Sequence, residues 1–136
     1  MEKQTKVVDA SVILKWFSNE EDSAKALILK DKHIQKEISL IIPELLFLEI
    51  ANALKYKKNN FEKIQKANED LWNFQFIVKR INESILERAI EIALKYNLTI
   101  YDSLYVALSQ IYGCELITAD KELVKAPNVI LLEEIK

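Results

Sequence analysis

Two hydrophobic patterns alternate along the chain. Short runs of consecutive apolar residues, many of them β-branched, predict buried strands at residues 6–9, 40–42, 76–81, 115–118 and 129–132. Between these runs, apolar residues recur every three or four positions, which is typical of amphipathic helices. Strands that alternate with helices predict an α/β fold in which helices cover both faces of a parallel sheet.

Capping signals predict where two of the helices begin. Ser18 and Glu21 have the spacing of a capping box. The same spacing recurs at Ser84 and Glu87, and Asn97 favours a left-handed end for that second helix. The face that the first of these helices is expected to bury carries Ala24, Leu27 and Ile28.

Composition limits the chain to a few classes of protein. A length of 136 residues and a hydrophobic content of 50% are those of one globular domain over residues 1–136. The net charge of −2 argues against a protein that coats nucleic acid through bulk positive charge. The sequence shows neither an apolar run of the roughly 20 residues that span a membrane nor a signal peptide. We therefore expect a soluble, cytoplasmic protein without a membrane partner.

The scarcity of glycine, histidine and cysteine excludes further kinds of site. With Gly113 as its only glycine, the chain has no glycine-rich phosphate loop or dinucleotide fingerprint. The only histidine, His33, lies in a charged stretch, so we expect a solvated side chain and no histidine-based triad or metal cluster. The only cysteine, Cys114, lies in an apolar run and is expected to be a buried, unreactive thiol.

Three carboxylates lie where predicted strands end or helices begin. Asp9 ends the first strand, Asp120 follows the fourth, and Asp102 opens the last long helix. Each has the position of a helix N-cap, which is a purely structural role. However, parallel strands end at one edge of their sheet, and open α/β sheets bind their ligands there. Caps and a shared site are therefore both open interpretations.

A fourth carboxylate, Glu49, lies in a helix that is apolar almost all round. This helix is predicted to begin with Pro43 and to run to about residue 58, and it contains the stretch PELLFLEIANAL. Burying a carboxylate there is costly unless it is paired, hydrogen-bonded or bound to a metal. Asn52 lies one turn further along the same face. The alternative is that the Glu49 side chain reaches the surface.

Convergence of the four acids would indicate a metal site. Carboxylates that meet repel each other and raise each other's pKa unless a cation neutralises them. Because no histidine or cysteine lies near these acids in the sequence, their oxygen atoms favour Mg²⁺ or Mn²⁺. A site of this kind is typical of metal-assisted phosphoryl transfer.

The four acids also lie in motifs that resemble those of one protein family. The stretches VVDASVILKWF, PELLFLEIANAL, YDSLYVALS and LITADKEL, in this order, resemble the PIN-domain family and, within it, the VapC-type ribonuclease toxins of toxin–antitoxin pairs. The resemblance covers nearly the whole chain. It implies a three-layer α/β/α sandwich with a five-stranded parallel sheet in the order 3-2-1-4-5, a divalent metal and endonuclease activity on RNA.

The resemblance also implies roles for individual residues. Ser11 and Thr118 match the hydroxyl residues of the first and last motifs, and with Asn52 they are expected to hold the carboxylates in place. The acids implied in both catalysis and metal binding are Asp9, Glu49, Asp102 and Asp120.

The sequence gives weaker signals for the residues that contact substrate and partners. Lys15 follows the first acid and Lys55 continues the Glu49 helix, so both are candidates to hold RNA phosphates. The alternative for residues 55–58, KYKK, is a solvated helix end. The resemblance further implies a homodimer and a VapB-like antitoxin. Trp16, Phe17 and residues 45–47 are candidate partner contacts, although large apolar side chains more often belong to the core.

Other functions compete with the toxin interpretation. A PIN nuclease in RNA maturation or decay would carry the same site without a toxin role. Signalling receiver domains require paired acids after the first strand, whereas Asp9 stands alone; haloacid-type phosphatases require Asp-x-Asp, whereas residue 11 is serine. A non-catalytic binding module, with all four acids as caps or surface groups, would leave the burial predicted for Glu49 unexplained.

Overall fold

The computed structural model describes residues 4–135 and contains, within them, one parallel sheet of five strands. Its order is β3-β2-β1-β4-β5, and every neighbouring pair is parallel. The predicted α/β fold class and strand order are therefore confirmed. The strands are β1 (Gln4–Val8), β2 (Ile38–Pro43), β3 (Ile77–Lys79), β4 (Glu115–Thr118) and β5 (Val129–Leu131).

Helices cover both faces of this sheet. Because crossovers between parallel strands are right-handed, the helices between β1 and β3 lie on one face and those between β3 and β4 lie on the other. The packing agrees, since α3 contacts α1 and α4 while α5 contacts α6. Short 3₁₀ turns follow β4 at Lys121–Lys125 and β5 at Leu132–Glu134. The helices are α1 (Ala10–Leu14), α2 (Ser23–Ile34), α3 (Leu45–Tyr56), α4 (Phe61–Trp72), α5 (Glu83–Tyr96) and α6 (Ile100–Ile111).

The strand order reverses beside β1, and this reversal positions the candidate site. The chain leaves β1 for β2 on one side, and β4 returns to pair with β1 on the other side. Val7 and Val8 are fully buried, and the register sets Val8 opposite Ile117. The residues that follow, Asp9 and Thr118, are consequently neighbours at the carboxyl edge, where open α/β sheets bind ligands.

The first predicted capping box is wrong. The structure starts α2 at Ser23, not near Ser18. The Ser18 hydroxyl lies within hydrogen-bond distance of Leu14 O (3.2 Å) and of the Glu20 carboxylate. Asp22, at a left-handed φ of 64°, then turns the chain into α2. The helix is rotated relative to the prediction, so that it buries Ser23, Ala26 and Leu29 and exposes Ala24, Leu27 and Ile28.

The second capping box is displaced by two residues. The Asn82 side chain, not that of Ser84, accepts the hydrogen bond from Ile85 N at 2.8 Å and caps α5. Asn97 does end α5 in the left-handed conformation, with φ 55°, as its position predicted. Pro43 ends β2 and does not open α3, which begins at Leu45.

His33 is part of the packed structure, which contradicts the expectation of a solvated side chain. Its Nδ1 accepts a hydrogen bond from Leu40 N at 3.1 Å, and its ring stacks on Phe74 with 4.7 Å between centroids. Trp16 joins the same aromatic cluster and donates from Nε1 to Ala26 O at 2.9 Å. Because Trp16 also packs against the hydrophobic core, the core interpretation fits it better than the role of a partner contact.

Two further properties bear on the sequence expectations. Among the helices of residues 4–135, none combines the length and the apolar character needed to cross a membrane. Cys114 is half-buried, and burial raises the pKa of its thiol. A raised pKa disfavours the nucleophilic thiolate, in agreement with an unreactive cysteine.

Candidate active site

Asp9 is the most deeply buried of the four acids, with 4% of its surface exposed. It caps α1 by accepting a weak hydrogen bond from Val12 N at 3.4 Å. Its Oδ1 also accepts from Ser11 Oγ at 2.6 Å, and its Oδ2 accepts from Thr118 Oγ1. Burial raises the pKa of Asp9 to about 6, although these hydrogen bonds favour the ionised form. The cap interpretation of Asp9 is therefore correct, and it does not account for the two hydroxyl donors.

Ser11 and Thr118 join the ends of β1 and β4 through Asp9. Each hydroxyl has one hydrogen and donates it to an Asp9 oxygen. Each then accepts from a main-chain N–H after β4, Ser11 from Ala119 at 2.9 Å and Thr118 from Asp120 at 3.0 Å. Two of the three residues predicted to hold the carboxylates thus fix the Asp9 side chain, and Thr118 also links it to Asp120.

Glu49 is half-buried on α3 and accepts a hydrogen bond from Tyr105. The phenol Oη donates to Glu49 Oε1 at 2.5 Å. Burial raises the pKa of Glu49, the hydrogen bond from Tyr105 opposes this effect, and the charge of Asp102 adds to it. The carboxylate is therefore partly buried and hydrogen-bonded, which is one of the conditions that the apolar helix had required, and the alternative of a side chain extended to the surface does not hold.

Asp102 lies in the first turn of α6 but does not cap it. Thr99 is the N-cap, and its Oγ1 accepts from Asp102 N at 3.0 Å. The cap interpretation of Asp102 is therefore wrong. Burial raises the pKa of its carboxyl, the Thr99 hydroxyl opposes the rise, and the charge of Asp120 increases it.

Asp120 follows β4 and opens the 3₁₀ turn Lys121–Lys125. Its Oδ1 accepts from Glu122 N at 3.0 Å, so the capping role predicted for it is present. Its half-buried side chain lies close enough to Asp102 to raise the pKa of that residue. Capping and membership of the acidic group are therefore compatible.

The four acids form one electrostatic group centred on Asp102. The charge of Asp102 raises the pKa of both Asp9 and Glu49, and the charge of Asp120 raises that of Asp102. Within residues 4–135, however, no three His, Cys, Asp or Glu side chains lie close enough together to hold a metal ion as they stand. Mg²⁺ does not need three, because it is usually bound by one or two carboxylates, several waters and substrate phosphate. The oxygen-only donor set fits that cation.

Tyr105 is a member of this group that the sequence analysis missed. It is 1% exposed, and burial raises the pKa of its phenol well above the usual value, with further contributions from Glu49, Asp9 and Asp102. The available signal was its spacing of three residues from Asp102, which puts both side chains on one side of α6. In an apolar helix, a tyrosine at this spacing resembles an ordinary core residue.

In the described part of the chain, the structure does not link the remaining predicted site residues to the acids by a hydrogen bond or ion pair. Lys15 is half-buried and donates from Nζ to Glu21 O at 2.7 Å. Lys55 is exposed on the last turn of α3, and Asn52 is exposed one turn after Glu49. Lys15, Lys55 and Asn52 therefore stay predictions as substrate or supporting residues.

The candidate partner residues near the site belong mainly to the core. Leu46 and Phe47 are buried, while Trp16, Phe17 and Leu45 are partly buried and pack against the core. Their packing therefore supports the alternative that they belong to the core and are not partner contacts.

Comparisons with known proteins agree with the geometry. Residues 6–129 match the model of the PIN domain. Ribonuclease VapC3 of Pyrobaculum aerophilum is 32% identical over 123 residues, which are 86% of this chain and 90% of that protein.

Solved structures of similar fold include two from bacteria. A toxin–antitoxin complex from Klebsiella pneumoniae has a chain that superposes with a TM-score of 0.73 at 22% identity, over 96% of this chain and 99% of that one. VapC20 of Mycobacterium tuberculosis, described as a toxin that cleaves the sarcin–ricin loop, gives 0.72 at 15% identity, over 91% and 96%. At these identities the two structures support the fold alone. The match over residues 6–129, together with the relative at 32% identity, shows that the chain belongs to the PIN-domain family and is related within it to the VapC type.

Proposed function

We propose that this protein is a divalent-metal-dependent endoribonuclease that acts as the toxin of a toxin–antitoxin pair. The observation that carries the proposal is the hydrogen-bonded arrangement at the carboxyl ends of β1 and β4, where Ser11 and Thr118 hold Asp9 and Thr118 also contacts Asp120 N. Glu49 and Asp102 lie close enough for the charge of Asp102 to raise the pKa of Glu49 and of Asp9. Such mutual repulsion favours binding of a cation. The relative named as a ribonuclease and the fold shared with named toxins support the same reaction class.

The acids would hold Mg²⁺ or Mn²⁺ through their oxygen atoms. Asp9, Glu49 and Asp102 are proposed to hold the ion directly or through water, and Asp120 to bind a second ion or to act through water. A bound divalent ion supplies Lewis-acid polarisation of the phosphodiester and activation of the attacking water.

The chain's own contribution is to keep the acids ionised and oriented. The hydroxyl hydrogens of Ser11 and Thr118 point to the two oxygens of Asp9, and hydrogen bonds to an ionised carboxylate favour its charged form. Glu49 receives the same help from Tyr105. Because these donors are held by main-chain contacts and core packing, the carboxylates need little reorganisation when RNA binds.

RNA is the proposed substrate, and two lysines are proposed to steer its phosphates. Lys55 is exposed on the last turn of the helix that carries Glu49. Lys15 lies six residues after Asp9, and its ammonium group is anchored to Glu21 O. Positive charges at these positions would attract the backbone of a single-stranded segment in a salt-dependent way.

The proposed partners are a VapB-like antitoxin and a second copy of the chain, acting in the cytoplasm, where RNA is present. Exposed apolar side chains outside the acidic group provide surface that partners can bury. Among the residues that the structure describes, the most exposed of them are Leu94, Tyr56, Phe61, Leu48, Tyr101, Ile34 and Trp72.

Cleavage of a labelled, structured RNA tests the proposal. We expect cutting with Mg²⁺ or Mn²⁺, none with chelator, and none with an Asp9→Asn protein purified identically. Equal cutting by the Asp9→Asn protein would reveal a contaminating ribonuclease. Intact RNA in both metals, together with no change in stability on adding metal, would contradict the proposal and favour a non-catalytic binding module. A gene for a small antitoxin beside this one would separate the toxin role from RNA maturation.

A further inference from the structure

Tyr105 connects the core of the molecule to one of the acids. It lies in α6, and its Oη donates to Glu49 Oε1 on α3 at 2.5 Å, which joins two helices whose residues are 56 positions apart in the chain. Tyr105 is among the largest fully buried side chains, so packing fixes its ring. Its hydroxyl is therefore a donor with little freedom to move.

The apolar surroundings do not by themselves explain this hydroxyl. The neighbours of Tyr105 along α6 include the buried residues Leu104, Val106 and Leu108, and a phenylalanine would fill nearly the same volume. A buried O–H needs an acceptor, and Glu49 is the acceptor that it has. The hydrogen bond therefore either satisfies only the buried tyrosine hydroxyl or also orients the Glu49 carboxylate.

Glu49 is the acid that gains most from an external support. It is the only glutamate among the four, and its longer side chain has one more torsion to restrict than that of an aspartate. Asp9 is held by Ser11, Thr118 and a main-chain N–H. Glu49 is held by the Tyr105 hydroxyl, which occupies one lone pair of Oε1 and leaves the other carboxylate lone pairs for a cation.

We propose that Tyr105 is a positioning residue, which orients the Glu49 carboxylate for a divalent cation through its buried hydroxyl. The inference rests on the proposed function and deepens it. At 1% exposure Tyr105 does not reach the substrate, so it acts through Glu49 and not as a catalytic residue.

The test is the affinity of the Tyr105→Phe protein for Mn²⁺, measured by calorimetry without RNA. Loss of a group that orients a metal ligand typically weakens metal binding about 10- to 100-fold, and we expect a decrease in that range. Tyr96→Phe is the matched control, because Tyr96 is a partly buried tyrosine that packs on the core at the end of α5. It should leave the affinity unchanged.

A titration of metal during RNA cleavage separates positioning from a general structural defect. If Tyr105 only orients Glu49, the Tyr105→Phe protein regains most of its cleavage rate at saturating Mn²⁺. A loss of rate that excess metal does not restore would assign Tyr105 a structural role and overturn the inference.

A second variant tests the route through Glu49 while leaving Tyr105 intact. Glu49→Asp withdraws the carboxylate from the hydroxyl by one methylene, so it should also weaken Mn²⁺ binding. Adding Tyr105→Phe to Glu49→Asp should then change the affinity less than twofold. A further tenfold loss would show that the hydroxyl acts independently of Glu49.

Failure of the inference and failure of the proposed function give different results. If wild-type protein binds Mn²⁺ and Tyr105→Phe binds it equally well, the inference is wrong and the metal site stands. If wild-type protein binds neither Mn²⁺ nor Mg²⁺, the proposed function is wrong and the inference falls with it.

Discussion

The two oxygens of Asp9 accept from three donors inside an almost closed environment. Burial opposes the charge while the donors support it, and the result is a pKa raised to about 6. In metal-free protein near neutral pH, an ionised Asp9 is therefore held at a cost in folding free energy. Residues that serve a site often lower stability in this way.

The free energy of unfolding of the metal-free protein should consequently decrease as pH rises from about 4 to 7. The pKa of Asp9 is raised from 3.8 in the unfolded reference to about 6 in the folded state, so the folded state binds more protons across this interval. Relative to Asp9→Asn, the wild type should lose on the order of 2 kcal/mol. Urea unfolding in chelator at both pH values measures this difference, and a pH-independent difference would contradict the assignment.

Thr118→Val should reduce RNA cleavage roughly 10- to 100-fold while preserving side-chain volume. The substitution removes the donor to Asp9 Oδ2 and the acceptor for Asp120 N together. The measurement is kcat/KM for a labelled RNA. Ser109→Ala is a suitable control, because that buried hydroxyl donates only to Val106 O within α6. Equal effects of the two substitutions would indicate loss of stability and not loss of carboxylate orientation.

At the scale of elements, the strands were easier to predict than the helix ends. Buried parallel strands are continuous apolar runs, and the ends of all five, including β3, which is shorter than the run at 76–81, were located to within about two residues. Helix starts depend on which of several nearby polar side chains reaches the first-turn N–H groups. Around residues 82–84 an asparagine and a serine compete for that role, and only the three-dimensional turn decides between them.

This competition predicts a difference in stability between two substitutions. Asn82→Ala should lower the free energy of unfolding by about 1 kcal/mol, because it removes the acceptor for Ile85 N. Ser84→Ala should change it by less than about 0.5 kcal/mol, since Ser84 is exposed on the first turn. Urea unfolding of both proteins compares them directly. A larger effect of Ser84→Ala would contradict the Asn82 cap and support the capping box that the sequence predicted at Ser84.

At the scale of the whole molecule, the fold brings together acids that are far apart in sequence. The sequence placed Asp9, Asp102 and Asp120 after strands or at a helix start, and thus at one end of the sheet, with Glu49 as a fourth acid from its apolar helix. The effects of these carboxylates on one another's pKa favour that grouping. The supporting contacts are harder to predict from sequence. Tyr105 meets Glu49 across two helices, and no local pattern marks a core tyrosine whose hydroxyl has an acidic partner.

Metal binding should therefore stabilise the folded protein as a whole. At a concentration 100 times its dissociation constant, a ligand of the folded state alone adds about 2.7 kcal/mol. We expect Mn²⁺ to raise the Tm of wild-type protein by several degrees, and chelator to reverse the shift. Asp102→Asn removes the centre of the acidic group and should abolish most of the response. An unchanged response in that variant would exclude Asp102 as a metal ligand.

The link between Asp9 and Thr118 has a consequence for how the protein is made. Asp9 and Glu49 are translated before Asp102, Thr118 and Asp120, and 109 positions separate Asp9 from Thr118. A nascent polypeptide therefore holds only Asp9 and Glu49 of the acidic group until the ribosome has passed residue 102. If the protein cuts RNA, it cannot do so before β4 has been translated and has paired with β1.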